Sequence, residues 1–276
     1  MKKIQSAASL AVLTGALFVG AGVTARAASD PKAVAVADQA LEAMGGKDAW
    51  NNTHFLRFDF AVEVGGKTVA SRAHTWDKWT GRYRFEAKTK TGDPYVVLMN
   101  INTKAGDAYL KGKKLEGAEA KRYVDEAYGT WVNDTYWLIM PYKMKDPGVT
   151  LKLDGEAKEG NATYDKVSLT FDSVGLTPKD HYTAYINRGT HMMDKWEFVL
   201  QGEKPPAVPF VWKNWQRYGK VMLSNDKVSA KDGTRIYFPV LDAPATVADA
   251  VFTSPRPRPR SSRAGSPHSN SRRGAA

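Results

Sequence analysis

The sequence contains no cysteine, which excludes disulfide staples, thiolate metal sites and a cysteine nucleophile. A lipid anchor on an N-terminal cysteine is excluded for the same reason. Also missing are a GxSxG elbow, a glycine-rich phosphate cradle, an HExxH zinc helix and a calcium-binding loop, so the common short catalytic signatures are absent. The apolar stretch at residues 7–22 is shorter than the ~20 residues a membrane-spanning helix needs. Acidic residues are lacking at both ends. Residues 1–28 hold Lys2, Lys3 and Arg26, and residues 253–276 hold six arginines, with no Asp or Glu in either segment. The formal net charge of +11 therefore falls to +2 over residues 29–252. A near-neutral body lacks the clustered cations that draw a protein to phosphate backbones, so no specific nucleic-acid partner is expected.

The two ends read as appendages. Lys2 and Lys3 form a charged n-region, residues 7–22 a small-residue apolar core, and Ala25-Arg26-Ala27 an A-x-A cleavage site. Residues 1–28 are thus expected to be a signal peptide cleaved near Ala27 or Ala28, which implies export and a periplasmic location. At the other end, Pro255-Arg256-Pro257-Arg258-Pro259-Arg260 and the Ser/Arg/Gly run after it carry no apolar payload and repel themselves. Residues 253–276 are expected to be a disordered tail, because nothing offsets the entropy of ordering them. It is read as a solvated tail, with anion binding or a non-native extension as the alternatives.

Between the ends, one helix is followed by many strands. Ser29-Asp30-Pro31 supplies a cap and a first-turn proline, Val34, Ala37, Leu41 and Met44 recur at helical spacing, and Gly45-Gly46 ends the run. A turn is expected near residues 48–51. From Phe55 the period becomes two: Leu56, Phe58, Phe60, Val62 and Val64 alternate with Arg57, Asp59, Ala61 and Glu63, and Gly65-Gly66 predicts a hairpin turn. Similar alternation recurs to Val240, giving about a dozen strands, each wet on one face. Residues 116–141 interrupt it with an Ala/Glu/Lys-rich helix over 116–128 and an aromatic second helix ending before Pro141. A sheet this large must curl or close to limit its exposed edges. The fold class is therefore mainly β with a helical insert. It is a curved antiparallel sheet forming an incomplete β-barrel over a single domain, residues 29–252, with helices covering the concave face.

Three segments carry a resemblance. They are Ala43-Met44-Gly45-Gly46-Lys47-Asp48-Ala49-Trp50, the run from Trp131-Val132-Asn133-Asp134-Thr135-Tyr136-Trp137 through Met140-Pro141 to Asp146-Pro147-Gly148-Val149, and Val174-Gly175-Leu176-Thr177-Pro178-Lys179-Asp180. With the closing Val251-Phe252-Thr253-Ser254-Pro255, they resemble the LolA/LolB-like outer-membrane lipoprotein-sorting superfamily, in its uncharacterised periplasmic branch. The resemblance implies a half-barrel whose hydrophobic concavity holds acyl chains of a lipoprotein or related lipid. Such shielding has a physical purpose, because each exposed methylene costs about 0.8 kcal/mol in water.

On this reading the protein is a soluble, monomeric, non-enzymatic carrier with no cofactor, no metal and no catalytic residue. Its partners would be lipid or lipoprotein acyl chains, with envelope transport components as further candidates. The expected apolar lining is Phe58, Phe60, Tyr83, Phe85, Met99, Trp131, Trp137 and Met140, and the expected headgroup partners are Arg57, Arg82 and Arg84. A metal on His181 and His191 with Asp180 or Asp194 lacks a third ligand of diagnostic spacing. Asn133, Asp134, Lys143 and Asp146 sit among aromatics and need partners, so they either cap helix ends or stand at a cavity mouth. The rival readings are a carbohydrate-active enzyme, with tryptophans as sugar platforms and a pair of acids such as Asp134 and Asp146 for acid/base work, and a structural envelope protein whose concavity is filled by its own side chains.

Overall fold

Asp30 starts the first helix: its carboxylate accepts the Lys32 N–H at 2.8 Å, and Pro31 occupies the first turn. The computed structural model describes residues 28–172 and 174–256, so the signal-peptide reading and the chain beyond Arg256 lie outside the described residues. In α1 (Pro31–Ala43) the buried stripe is Ala33, Val36, Ala37 and Ala40, continued by Met44 just past its end. It is displaced from the expected one, with Val34 and Leu41 only half-buried. Gly45, at φ +116°, reverses the chain where a side chain would collide with the Lys220 carbonyl. A short helix, α2 (Gly46–Asn51), follows instead of the expected turn.

The first meander comprises β1 (Phe55–Val64), β2 (Lys67–Asp77), β3 (Arg82–Lys88), β4 (Pro94–Asn100), β5 (Ala105–Leu110) and β6 (Lys113–Lys114). Gly65 and Gly66, both at positive φ, make the β1–β2 hairpin turn that the sequence predicts. The long helix α3 (Gly117–Lys143) comes next, followed by a second meander. This comprises β7 (Val149–Glu159), β8 (Ala162–Phe171), β9 (His181–Asn187), β10 (Met193–Val199), β11 (Val208–Tyr218), β12 (Val221–Ser229) and β13 (Arg235–Asp242), before the short α4 (Ala250–Thr253).

All thirteen strands form one antiparallel sheet, ordered β6-β5-β4-β3-β2-β1-β13-β12-β11-β10-β9-β8-β7. The two meanders meet at the centre, where β1 pairs with β13. The sheet does not close, because β6 and β7 occupy opposite edges. Those edges are nevertheless consecutive in sequence apart from α3. The helix must therefore cross the open side of the sheet, and its 27 residues span about 40 Å at 1.5 Å per residue. It runs unbroken through Gly129 and Thr130, where two helices were expected, and its irregularity falls at Ile139 (φ −123°, ψ 15°), ahead of Pro141. Proline lacks the N–H and crowds the preceding turn, which accounts for the kink.

Register decides what faces the helix. Phe58 pairs with His74, Leu56 with Trp76 and Phe60 with Arg72, while His74 pairs with Phe85 and Trp76 with Tyr83. Across β4, Phe85 meets Val97, Tyr83 meets Met99 and Ala87 meets Tyr95. Opposed residues share a face, and Trp76 and Tyr95 touch Trp131 and Tyr123 of α3. This is the concave side. The adjacent residues Arg57, Arg82 and Arg84 fall on the convex side, where α4 and the segment after it lie against β3 and β4.

Candidate functional site

The concavity has two unlike halves. Under β1–β4 it is filled. Phe58, Phe60, Tyr83, Phe85, Met99 and Met140 are buried members of one hydrophobic core, and their register places the five strand residues against the helix. Three polar side chains are embedded there. Arg72 and His74 occupy inward positions of β2, and Asp134 projects from α3 to meet them. The Arg72 Nε and Nη2 atoms each lie 2.9 Å from one Asp134 oxygen. His74 Nε2 lies 3.1 Å from Asp134 Oδ2, out of line for a hydrogen bond, and its Nδ1 pairs with the Tyr83 hydroxyl at 2.7 Å. Asn133 Nδ2 also donates to Asp134. Asp134 therefore neither caps the helix nor stands at a mouth: it ties the helix to the sheet.

The other half is open. Between the C-terminal part of α3 and the first strands of the second meander, β7–β9, lies a half-enclosed cavity of about 580 Å³. Trp131, Tyr136 and Trp137 reach it from α3, Trp76 from β2, and Phe171 and Tyr182 from β8 and β9. Leu176 and Leu200, both substantially exposed, line it from the loops beside β9 and β10. Trp131, Thr135 and Trp137 face the cavity on either side of Asp134 in sequence, while Leu138 and Met140 turn into the core. Polar groups also line the cavity: Asn133, the Lys143–Asp146 ion pair, Asp180, Gln201 and Glu203.

Asp180 is the buried member of that group. It accepts from the Gln201 N–H at 2.7 Å, the Thr177 hydroxyl at 2.6 Å and the Tyr182 hydroxyl at 3.3 Å. Burial raises the Tyr136 phenol well above its ordinary pKa, and Tyr182, Asp146 and Asp180 add to the shift. Tyr182 is raised too, by burial and then by Asp180. Both tyrosines stay neutral at physiological pH.

Of the expected apolar lining, the structure brings Trp131 and Trp137 to the cavity. Phe58, Phe60, Tyr83, Phe85, Met99 and Met140 lie in the filled half instead. The three arginines are not brought to the cavity either. Arg57 is half-buried on the convex face. Arg82 pairs with Asp77 and Asp249 and lies over the Phe252 ring. Arg84, buried, bonds Glu86 and the carbonyls of Val251, Ser254 and Arg256. The physical reason is strand alternation: a residue flanked by inward aromatics points outward. Tyr136, Phe171, Tyr182, Leu176 and Leu200 were not singled out as lining. The sequence signal for them was the density of aromatics near Trp131 and the Val174–Asp180 motif, but nothing local said that the two segments meet.

The histidine pair is also separated. His181 pairs with Val199 at one end of the β9–β10 hairpin, while His191 occupies the turn at the other. Among the described residues no group of His, Asp and Glu could hold a metal ion. Of the two acids suggested for a carbohydrate-active enzyme, Asp146 lines the cavity and Asp134 does not. No helix among the described residues is long and apolar enough to cross a membrane.

No protein-family model and no curated protein matches the sequence. Solved structures do share similarity with it. A DUF1329 family protein from Desulfovibrio piger aligns over 81% of this chain and 98% of its own, at 12% identity and TM-score 0.47. A LolA superfamily protein from Nitrosomonas europaea aligns over 80% and 96%, at 12% identity and TM-score 0.46. A putative outer-membrane lipoprotein-sorting domain from Vibrio parahaemolyticus aligns over 80% and 96%, at 8% identity and TM-score 0.45.

Proposed function

We propose that the protein is an exported carrier that holds one apolar chain, from a lipid or a lipid-modified molecule, in the cavity beside α3. The observation that carries this reading is the cavity itself. A half-enclosed space of about 580 Å³ walled by Trp131, Trp137, Phe171, Leu176 and Leu200 lies within the ~300–1,000 Å³ typical of single small-ligand sites. Exposed Asn133, Gln201 and Glu203 are among its polar lining, which suits an amphiphile with its chain inside and its head toward the surface. A filled concavity accounts for the β1–β4 half only. The signal-peptide features of the N-terminal sequence support the periplasm as the place of work, where an apolar chain needs a protein shield.

The test is native mass spectrometry of protein purified from an envelope fraction, with titration of a neutral fluorescent probe such as N-phenylnaphthylamine. The expected result is one apolar molecule per chain and saturable probe binding that an extracted lipid displaces. Protein that is empty as isolated and does not bind the probe would overturn the proposal.

A further inference from the structure

The charge and the aromatic character of the cavity bear on the same question, the nature of the ligand's polar end. Asp146, Asp180 and Glu203 bring three carboxylates to the lining, and Lys143 is the one cation among the described lining residues. Lys143 is already engaged with Asp146. The arginines of β1 and β3 offer no relief, because they lie across the sheet. An anionic head at this mouth would therefore meet uncompensated like charge in a partly desolvated setting, where charge interactions are stronger than in water.

The ring arrangement favours the opposite sign. Tyr136 stands edge-on to Tyr182 at 5.2 Å and to Phe171 at 6.3 Å, and Tyr182 stands edge-on to Phe171 at 5.7 Å. The three make an aromatic corner with Asp180 hydrogen-bonded to one of its members. Both Asp146 and Asp180 act electrostatically on the Tyr136 hydroxyl. Aromatic faces backed by carboxylates attract ammonium groups.

We infer that the ligand is a cationic amphiphile, an alkyl chain bearing an ammonium group, with the chain along Trp131 and Trp137 and the ammonium at the Tyr136–Tyr182 corner beside Asp180. This rests on the carrier reading and narrows it to one class of ligand.

The test is calorimetric titration of the full chain with dodecyltrimethylammonium, dodecyl maltoside and dodecanoate, each below its micelle concentration, at low and high salt. The expected result is saturable binding of the ammonium compound at one site, about tenfold or more tighter than dodecanoate, with the ratio shrinking as salt rises. Glu203→Gln, at an exposed position of the lining, should reduce that ratio. Tyr136→Leu should reduce it and Tyr136→Phe should not, since only the first removes the ring. If dodecanoate binds as tightly as the ammonium compound while maltoside also binds, the cationic head is overturned and the carrier reading stands. If none of the three binds, the carrier reading fails and this inference fails with it.

Discussion

Arg72 and Asp134 face each other between sheet and helix in a two-point ion pair, each guanidinium nitrogen 2.9 Å from its own carboxylate oxygen. Asp134 is fully buried and the Arg72 side chain is 29% exposed, so the pair is sealed at the helix end and open at the sheet end. It marks the boundary between the filled and open halves of the concavity.

Removing one partner of this pair should be worse than removing both. Asp134→Leu leaves Arg72 and His74 without their carboxylate, and a loss of about 3–5 kcal/mol is expected. The double variant Asp134→Leu/Arg72→Leu should recover part of that loss, since no unpaired charge then remains. Urea unfolding of the two proteins checks the order; a double variant less stable than the single one would contradict it.

Lys227 should make the protein more stable as pH rises above neutral. Its amine is fully buried between Trp212 and Phe238 and is held well below its ordinary pKa, because the ring faces and Asp226 do not make up for the lost water. Over the window from the depressed value up to about 10.4 the unfolded chain binds a proton that the folded chain does not, so stability climbs with pH there. Lys227→Met should raise stability at pH 7 by about 1–3 kcal/mol and flatten the climb. Thermal unfolding at pH 7 and pH 9 of both proteins measures it; a parent protein less stable at pH 9 would refute the sign.

Arg84 should govern the end of the chain. Its guanidinium bonds the carbonyls of Val251, Ser254 and Arg256, so truncation after Phe252 strips two of those partners from a buried cation. That truncation should cost about 2–3 kcal/mol, whereas truncation after Arg256 should cost little. Truncation after Arg256 removes five of the six C-terminal arginines and truncation after Phe252 all six, so both should weaken any polyanion binding. Unfolding curves and a heparin-column elution profile separate the two effects.

Leu176 and Leu200 should matter for ligand and little for folding. They are 57% and 36% exposed and line the cavity. Leu176→Asp combined with Leu200→Asp is expected to weaken probe binding about tenfold or more while shifting the unfolding midpoint by no more than a few degrees. Unchanged probe affinity in this variant would place the ligand elsewhere.

Local pattern carried far in this chain. The cap at Asp30 and Pro31, the Gly65-Gly66 hairpin and the period-two alternation from Phe55 each have a short-range cause, so they are legible residue by residue. Alternation also assigns neighbours to opposite faces, which means that Phe58 and Arg57 could never have lined one cavity together. What alternation lacks is a sign. Which face is concave depends on where α3 lies, and α3 crosses the sheet because β6 and β7 end on opposite edges.

The sequence by itself determined a mainly β, cysteine-free, near-neutral body with basic ends and an aromatic helical insert, because composition and periodicity are local properties of the chain. Only the tertiary structure decided that Asp134 ties the helix to the sheet, that the arginines face outward, and that the space lies beside Tyr136 and Tyr182. Those outcomes depend on side chains from α3, β2, β8 and β9 converging across long stretches of sequence, and no local pattern records which distant residues will meet.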